Sequence, residues 1–396
     1  MTFSLLLDLD DTLLDTNIDA FLSAYFKKLA AHMAQRVPPE QFINALLRST
    51  QIMYGSKRID FTLEQVFSEN FYPALGLPQA ELAAAIDKFY DDVFPLLEPL
   101  TKPRPAAVAL VEWAFAQGWN VAIATDPLFP RKAILHRLRW AGLAPEKYPF
   151  TLISDFQTFH FAKASLAYYP EFLARMGWTD GPVLMVGDSQ ERDVHPSQQA
   201  GVPVFWLKTD GDAPFDGIPQ GTLADLQRYL ETTDLSGLAV DYSSPSALIA
   251  FLQATPAVLH TLSLTISPDQ ASHRPQSGEW SFLEILCHMR DAEKEVNLPR
   301  METVLRTENA FIAAQETDQW AEERQYNQQD SAAAFSDFAA SRAKLIEKLQ
   351  SLSADDWTRR ARHTIFGPTT LRELVHFIVD HDRSHIQQAM AVLKSA

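Results

Sequence analysis

The chain predicts a doubly wound parallel α/β sheet with an inserted helical cap, followed by an all-α four-helix bundle. Three observations carry that expectation. Up to about residue 230, short β-rich runs alternate with helical patterns; between about 15 and 100 helical periodicity stands alone; beyond about 245 strand signals stop and four helical segments follow. Strands alternating with helices pack as parallel strands joined by crossovers, and four consecutive helices match the count of a bundle.

The expected strands are "FSLLLDLD" (3–10), "WNVAIATD" (119–126), "FTLISD" (150–155), "PVLMVGD" (182–188) and "VPVFWLK" (202–208). In an open parallel sheet, ligands sit beyond the carboxyl ends of the strands. Asp8, Thr125, Asp155 and Asp188 all fall there. The helical segment of about 15–100 interrupts the pattern just after the first strand, where it is placed to act as a lid, and "PLTKPRP" (99–105) reads as its return. Residues 1–230 form the first expected domain, 231–244 a linker, and 245–396 the bundle, with helices near 245–262, 281–306, 331–350 and 369–393.

Composition narrows the partners. The chain has 396 residues, 46% of them hydrophobic, and a formal net charge of −16. Such a balance repels a phosphate backbone and speaks against a nucleic-acid interface. A small phosphorylated metabolite is still compatible, because a metal and a lysine can offset its charge locally. The one cysteine, Cys287, permits no intrachain disulfide and fits a reducing compartment. No signal peptide and no apolar run of spanning length are read, so the expected location is the cytoplasm, without membrane association. The helical bundle offers a face for a homodimer.

Four aspartates cluster in "LLLDLDDTLLDT" (5–16), where a leucine strand built for burial ends. Carboxylates beside a core are costly unless paired or bound to a cation. "DLDDT" (8–12), "ATD" (124–126), Lys163 in "HFAKAS" and "GDSQERD" (187–193) follow in order along the α/β pattern. Together they resemble the haloacid dehalogenase superfamily over roughly residues 1–230. The resemblance implies that Asp8 is a nucleophile forming an aspartyl-phosphate and that Asp10 is the general acid and base. It implies Mg²⁺ held by Asp8, the backbone carbonyl of Asp10 and Asp188, with Asp193 orienting a ligand or water. Thr125 and Lys163 would hold phosphoryl oxygens, and Thr12 would fix the turn. A second aspartate two residues after the first favours a phosphatase over a dehalogenase, because attack on carbon leaves no ester oxygen to protonate there. Asp11 and Asp15 read as turn or helix-start acids, and Asp155 has no assigned role. Two departures from the family pattern stand out: Ala164 and Leu166 follow Lys163 without the usual proline, and Asp126 stands where many relatives carry asparagine.

In the last helix, "IVDHDRSHIQQ" places His381 and His385 four residues apart on one face, a metal-binding spacing. His376 lies about 140° around the helix from His381. His288 in "WSFLEILCHMRDAE" is the third candidate. This set resembles the DinB/YfiT-like metal-binding bundles over roughly 245–393. The resemblance implies a three-histidine site for Zn²⁺, Ni²⁺ or Fe²⁺. Ser281 with Glu284, and Thr370 with Glu373, read as capping boxes, so Glu284 is a cap rather than a ligand. Cys287 points about 100° away from its neighbour and reads as packed.

The leading expectation is therefore a Mg²⁺-dependent phosphatase fused to a metal-binding bundle. The alternatives are a metal-dependent thiol transferase or hydrolase acting in the bundle, and a phosphometabolite-binding protein without turnover. Substrate choice lies in the cap, where Phe21, Tyr25 and Tyr54 read equally as core or pocket.

Overall fold

The computed structural model describes residues 2–178, 180–208, 217–276 and 278–395. It divides into two compact units, Met1–Phe172 with Thr179–Val240, and Leu173–Trp178 with Asp241–Ala396.

In the first unit, strand β1 (Ser4–Leu7) is buried at every position, as an all-leucine centre demands. It leads into β2 (Leu14–Thr16), which pairs antiparallel with β3 (Thr101–Pro103), so the "PLTKPRP" return is one strand of a ribbon. Strands β4 (Asn120–Ile123), β5 (Val183–Gly187), β6 (Val204–Leu207) and β7 (Gln220–Gly221) complete a parallel sheet of order β4-β1-β5-β6-β7. The chain leaves β1 toward β4 on one side and β5 on the other. Asp8 emerges at that reversal, its N–H donating to the Val186 carbonyl at 2.9 Å. The strand expected over 150–155 is corrected to a single bridge, Ile153 to Ile123. Leu152 and Ser154 still bond alongside β4, but the edge pairing extends no further.

Between β2 and β3 lie helices Ile18–Met33, Pro39–Tyr54, Leu63–Leu75 and Gln79–Asp92. Their apolar faces join the sheet in one core: Phe21, Tyr25 and Phe89 cluster with Phe94 of the following 3₁₀ turn and with Leu5, Leu7 and Trp140. Thr62 caps the third cap helix in a capping box, and its first turn bonds the Phe156 and Phe159 carbonyls. Helix Leu223–Thr232 follows the last strand. Past it, a 3₁₀ turn over Leu235–Gly237 brings the Leu238 carbonyl to the Val183 N–H at 2.9 Å.

The second unit is built on helices Pro245–Thr265, Phe282–Ala292 continued by Leu298–Arg306, Ser331–Gln350 and Leu371–Ser395. A π-helical turn, Glu293–Asn297, joins the two halves of the second helix. The bundle also carries three short strands that the sequence reading did not anticipate: β8 (Ala310–Ile312), β9 (Arg360–His363) and β10 (Gly367–Thr370), in the order β10-β9-β8. Their burial alternates over three or four residues, too short a run to stand out.

One earlier expectation is corrected by the first bundle helix. Pro245–Thr265 carries no charge and reaches mean hydropathy 1.5 over an 18-residue window, long and apolar enough to cross a membrane by length and composition. Buried residues make up 72% of that window, as for a bundle core helix.

Candidate functional site

At the carboxyl end of β1, the Asp8, Asp188 and Asp193 carboxylates converge, each offering an oxygen within 4.8 Å of the others. Lys163 binds two of them, Asp8 Oδ1 at 2.6 Å and Asp193 Oδ1 at 2.5 Å. It is 1% exposed, so this ammonium lies within the acid cluster and not in solvent. Asp193 comes close because Gly187 ends β5: a Cβ there would lie 2.2 Å from the Asp193 carboxylate. The Ser189 N–H donates to Asp193 Oδ2 at 2.8 Å. The Asp188 carbonyl accepts from Trp206 Nε1 at 2.8 Å, and Thr12 Oγ1 donates to its carboxylate at 3.5 Å.

Three carboxylates against one ammonium leave excess negative charge. Burial, then the charges of Asp8 and Asp193, push Asp188 up to about 7. Burial likewise pushes Asp193 up to about 6, with Asp8 adding to it and Lys163 opposing. A group of carboxylates this crowded favours a cation, and an all-oxygen donor set of this kind suits Mg²⁺.

The other residues expected at this site divide. Thr125 is buried, its carbonyl accepting from Tyr168 Oη at 2.9 Å and Ser154 Oγ at 2.7 Å, which fixes the strand end. Asp126 accepts from the Lys163 backbone N–H at 3.1 Å and so positions that lysine without a following proline. The Asp10 carboxylate does not join the acid cluster. It pairs with Arg137 and accepts from Thr16 Oγ1 at 3.2 Å. Asp11 has left-handed backbone (φ 56°) and accepts from the Thr16 N–H at 2.8 Å, the turn role read from the sequence. Asp155 is fully buried and paired with Arg131 at 2.9 Å.

Of the cap aromatics, Phe21 and Tyr25 belong to the core, with Tyr25 and Tyr90 hydroxyls 2.8 Å apart. Tyr54 is 42% exposed, and its hydroxyl is raised by burial and by the charge of Asp126, which sets it toward the acid cluster. Sequence reading missed Arg137 and Arg192. Arg192 is exposed beside the cluster, with the charges of Asp126 and Asp8 holding its proton against the effect of burial. Its place within "GDSQERD" was the one available signal.

In the bundle, His288, His381 and His385 converge. Their Nε2 atoms stand 3.0 Å apart for His288 and His381, and 3.2 Å for His385 and His381. Tetrahedral metal–nitrogen bonds of about 2.0–2.1 Å imply a nitrogen–nitrogen spacing of about 3.3 Å, so the three rings fit one ion. Burial and the neighbouring rings push His288 down to about 3, and burial with His381 pushes His385 down to about 4. Both are neutral near pH 7, the form that binds metal. His385 Nδ1 is 3.0 Å from Gln388 Oε1, which orients its ring. Trp280 stacks on His385 at 5.9 Å.

His376 bonds Asp380 at 3.1 Å and stacks on Tyr242, away from the triad. Ser281 and Glu284 form the expected capping box, and Glu284 pairs with Arg274. Cys287 is buried, its thiol pushed up to about 11 by burial. The sequence reading also missed Arg342. This guanidinium is 1% exposed and holds Glu293 at 2.6 Å and Asp382 at 2.5 Å, directly beside the triad's last helix.

A parallel α/β unit with a cap and an aspartate–lysine cluster beyond the carboxyl end of β1 defines a class of hydrolase. The haloacid dehalogenase-like hydrolase model matches residues 4–201, and the chain belongs to that family. The DinB superfamily model matches residues 251–389, which cover the bundle. No protein of curated function matches the chain.

Among solved structures, the chain is similar to a haloacid dehalogenase phosphatase from Thermococcus onnurineus (18% identity, 58% of this chain and 98% of that one, TM-score 0.39). It is also similar to a 2-haloacid dehalogenase from Pseudomonas syringae pv. tomato (22%, 58% and 99%, 0.40). The bundle is similar to YfiT from Bacillus subtilis, a four-helix bundle of unusual topology (17%, 39% and 89%, 0.36).

Proposed function

We propose that the first unit is a Mg²⁺-dependent phosphatase acting on a small phosphorylated metabolite. The observation that carries this reading is the Asp8–Lys163–Asp193 chain of contacts with Asp188 beside it. Bound Mg²⁺, held by Asp8, Asp188 and Asp193, would screen the nucleophile from the phosphate it attacks. Asp8 attacks phosphorus and becomes an aspartyl-phosphate as the ester oxygen leaves. Asp10 gives that oxygen its proton, then takes one from the water that releases inorganic phosphate and regenerates Asp8. To do so, the Asp10 carboxylate must rotate away from Arg137. Lys163 holds Asp8 oriented and offsets charge on the transferred group.

The second unit we read as a transition-metal centre on His288, His381 and His385, carried by the convergence of their Nε2 atoms. Zn²⁺, Ni²⁺ or Fe²⁺ suits three imidazoles, and a thiol or water bound there would be activated for transfer or hydrolysis.

Turnover of an aryl phosphate with and without Mg²⁺ tests the first reading. Asp8→Asn abolishes it, and undiminished turnover in that variant overturns the assignment. Elemental analysis of the full chain after Zn²⁺ loading tests the second. One equivalent lost in His385→Ala supports it, and an equal metal content in both proteins rejects it.

A further inference from the structure

The bundle carries an open cavity of about 260 Å³ that has His381 in its wall. Its lining divides by chemistry. Val296, Met301, Leu374 and Ile378 are apolar, and Asn297 and Arg300 are polar. The π-helical turn Glu293–Asn297 supplies Val296 and Asn297, and Arg300 follows three residues later. Such turns recur at functional sites, because they displace one residue from the regular helical face.

Arg300 is the cavity's arginine. Three other half-buried or buried arginines of the bundle have acidic partners: Arg290 binds Asp291, Arg324 binds Asp291 and Glu295, and Arg342 binds Glu293 and Asp382. Half-buried Arg359 donates to the Val304 carbonyl, outside the cavity lining. Arg300 donates only to the Ala313 carbonyl at 2.9 Å, and no carboxylate pairs with it among the described residues. Burial alone acts on its proton, lowering its affinity. A chain of net charge −16 does not lack acids to place there. A half-buried guanidinium facing a partly apolar cavity without a counter-ion is unfavourable, and an anionic ligand would offset that cost. Burial and the charge of Arg300 both lower the proton affinity of His363, so Arg300 is the cation of this wall.

At the same cavity, Phe366 is 53% exposed and stacks on Phe377 at 4.1 Å. Phe366 lies in the turn between β9 and β10, next to Ile365, which is 70% exposed. An exposed apolar turn beside a partly apolar cavity marks a ligand contact.

We propose that this cavity binds a small organic monocarboxylate. Its carboxylate sits on Arg300 and its apolar body lies against Met301, Leu374 and Ile378. Its far end lies beside His381, which makes it the substrate pocket of the histidine triad. One cation offsets one charge, which favours a carboxylate over a phosphate dianion. Binding rests on Arg300 and not on the metal, so it succeeds or fails separately from the reading of the triad.

Isothermal titration calorimetry of the full chain with hexanoate, hexanamide and hexylammonium tests this. Hexanoate should bind saturably, with hexanamide at least tenfold weaker and hexylammonium weaker still. Arg300→Met should weaken hexanoate at least tenfold and leave hexanamide unchanged. His385→Ala, which removes a metal ligand, should still bind hexanoate. Equal binding of hexanoate and hexanamide by the unaltered protein, or no saturable binding of hexanoate, overturns the proposal without any variant having to fold. Full hexanoate affinity in a folded Arg300→Met protein overturns it as well.

Discussion

Arg137 holds Asp10 in an ion pair in which the guanidinium is 1% exposed and the carboxylate 23%. Nε and Nη2 of Arg137 are buried without a hydrogen-bond partner among the described residues, and its guanidinium lies 4.7 Å above the Phe129 ring. Among the described residues, the proposed acid–base residue is thus also the one carboxylate partner of a buried cation.

Asp10→Ala should therefore cost stability as well as turnover. A buried charge stripped of its partner costs about 3 kcal/mol. Arg137→Met in the Asp10→Ala background should recover most of that stability while leaving turnover absent. Urea unfolding beside an aryl phosphate assay separates the two effects. An Asp10→Ala protein as stable as the wild type would show that the pair contributes nothing.

Gly187 sets how near Asp193 can come. A methyl group would sit 2.2 Å from the Asp193 carboxylate, so Gly187→Ala must drive that side chain out. Lys163 then loses one of its two acids, and misplacement on the scale of an ångström costs about 100-fold in rate. We expect kcat/KM to fall by that order and Mg²⁺ to bind more weakly by calorimetry. Wild-type values for both would refute the geometric argument.

The motif residues were legible because their chemistry is tied to strand ends. Asp8 converges with Asp188 and Asp193 from a separate stretch of the chain, and the sheet order that unites them follows from the alternation of strands and helices. His381 and His385 were legible from helical spacing alone. Arg137, Arg300 and Arg342 were not, since an arginine inside an ordinary helix carries no local sign of burial; only tertiary packing sets that. The β8–β10 sheet escaped notice for another reason. Its strands are too short for a period of two to register, although Gly367 (φ 74°) followed by Pro368 is a turn signal.

Arg342 joins the second and last bundle helices to its own through Glu293 and Asp382, both buried. Arg342→Leu leaves two desolvated carboxylates facing each other without a cation. The expected loss is about 3–5 kcal/mol. Replacing all three residues with leucine should restore much of it, since burying charge is itself costly. Calorimetric unfolding of the single and triple variants decides the matter, and a single variant as stable as the wild type counts against the network.

Acid should unfold the bundle through its paired carboxylates. Burial works to raise Glu284, but the Arg274 guanidinium and the Ser281 N–H outweigh it and hold the carboxyl below its usual range. Asp291 is likewise lowered against burial, by Arg290, Tyr326 and Arg324. A carboxyl whose folded pKa lies below its unfolded value of about 4 stabilises the fold fully above that value. The contribution disappears as pH falls through the lower, folded value. Stability of the bundle should thus be flat from pH 7 to about 5 with respect to these groups, and decline below about 4. Glu284→Gln should be less stable at pH 7, by about 1.5–3 kcal/mol for a lost charge-assisted bond, and show a shallower decline in acid. Parallel curves for the two proteins between pH 5 and 3 would show that Glu284 takes no part in acid unfolding.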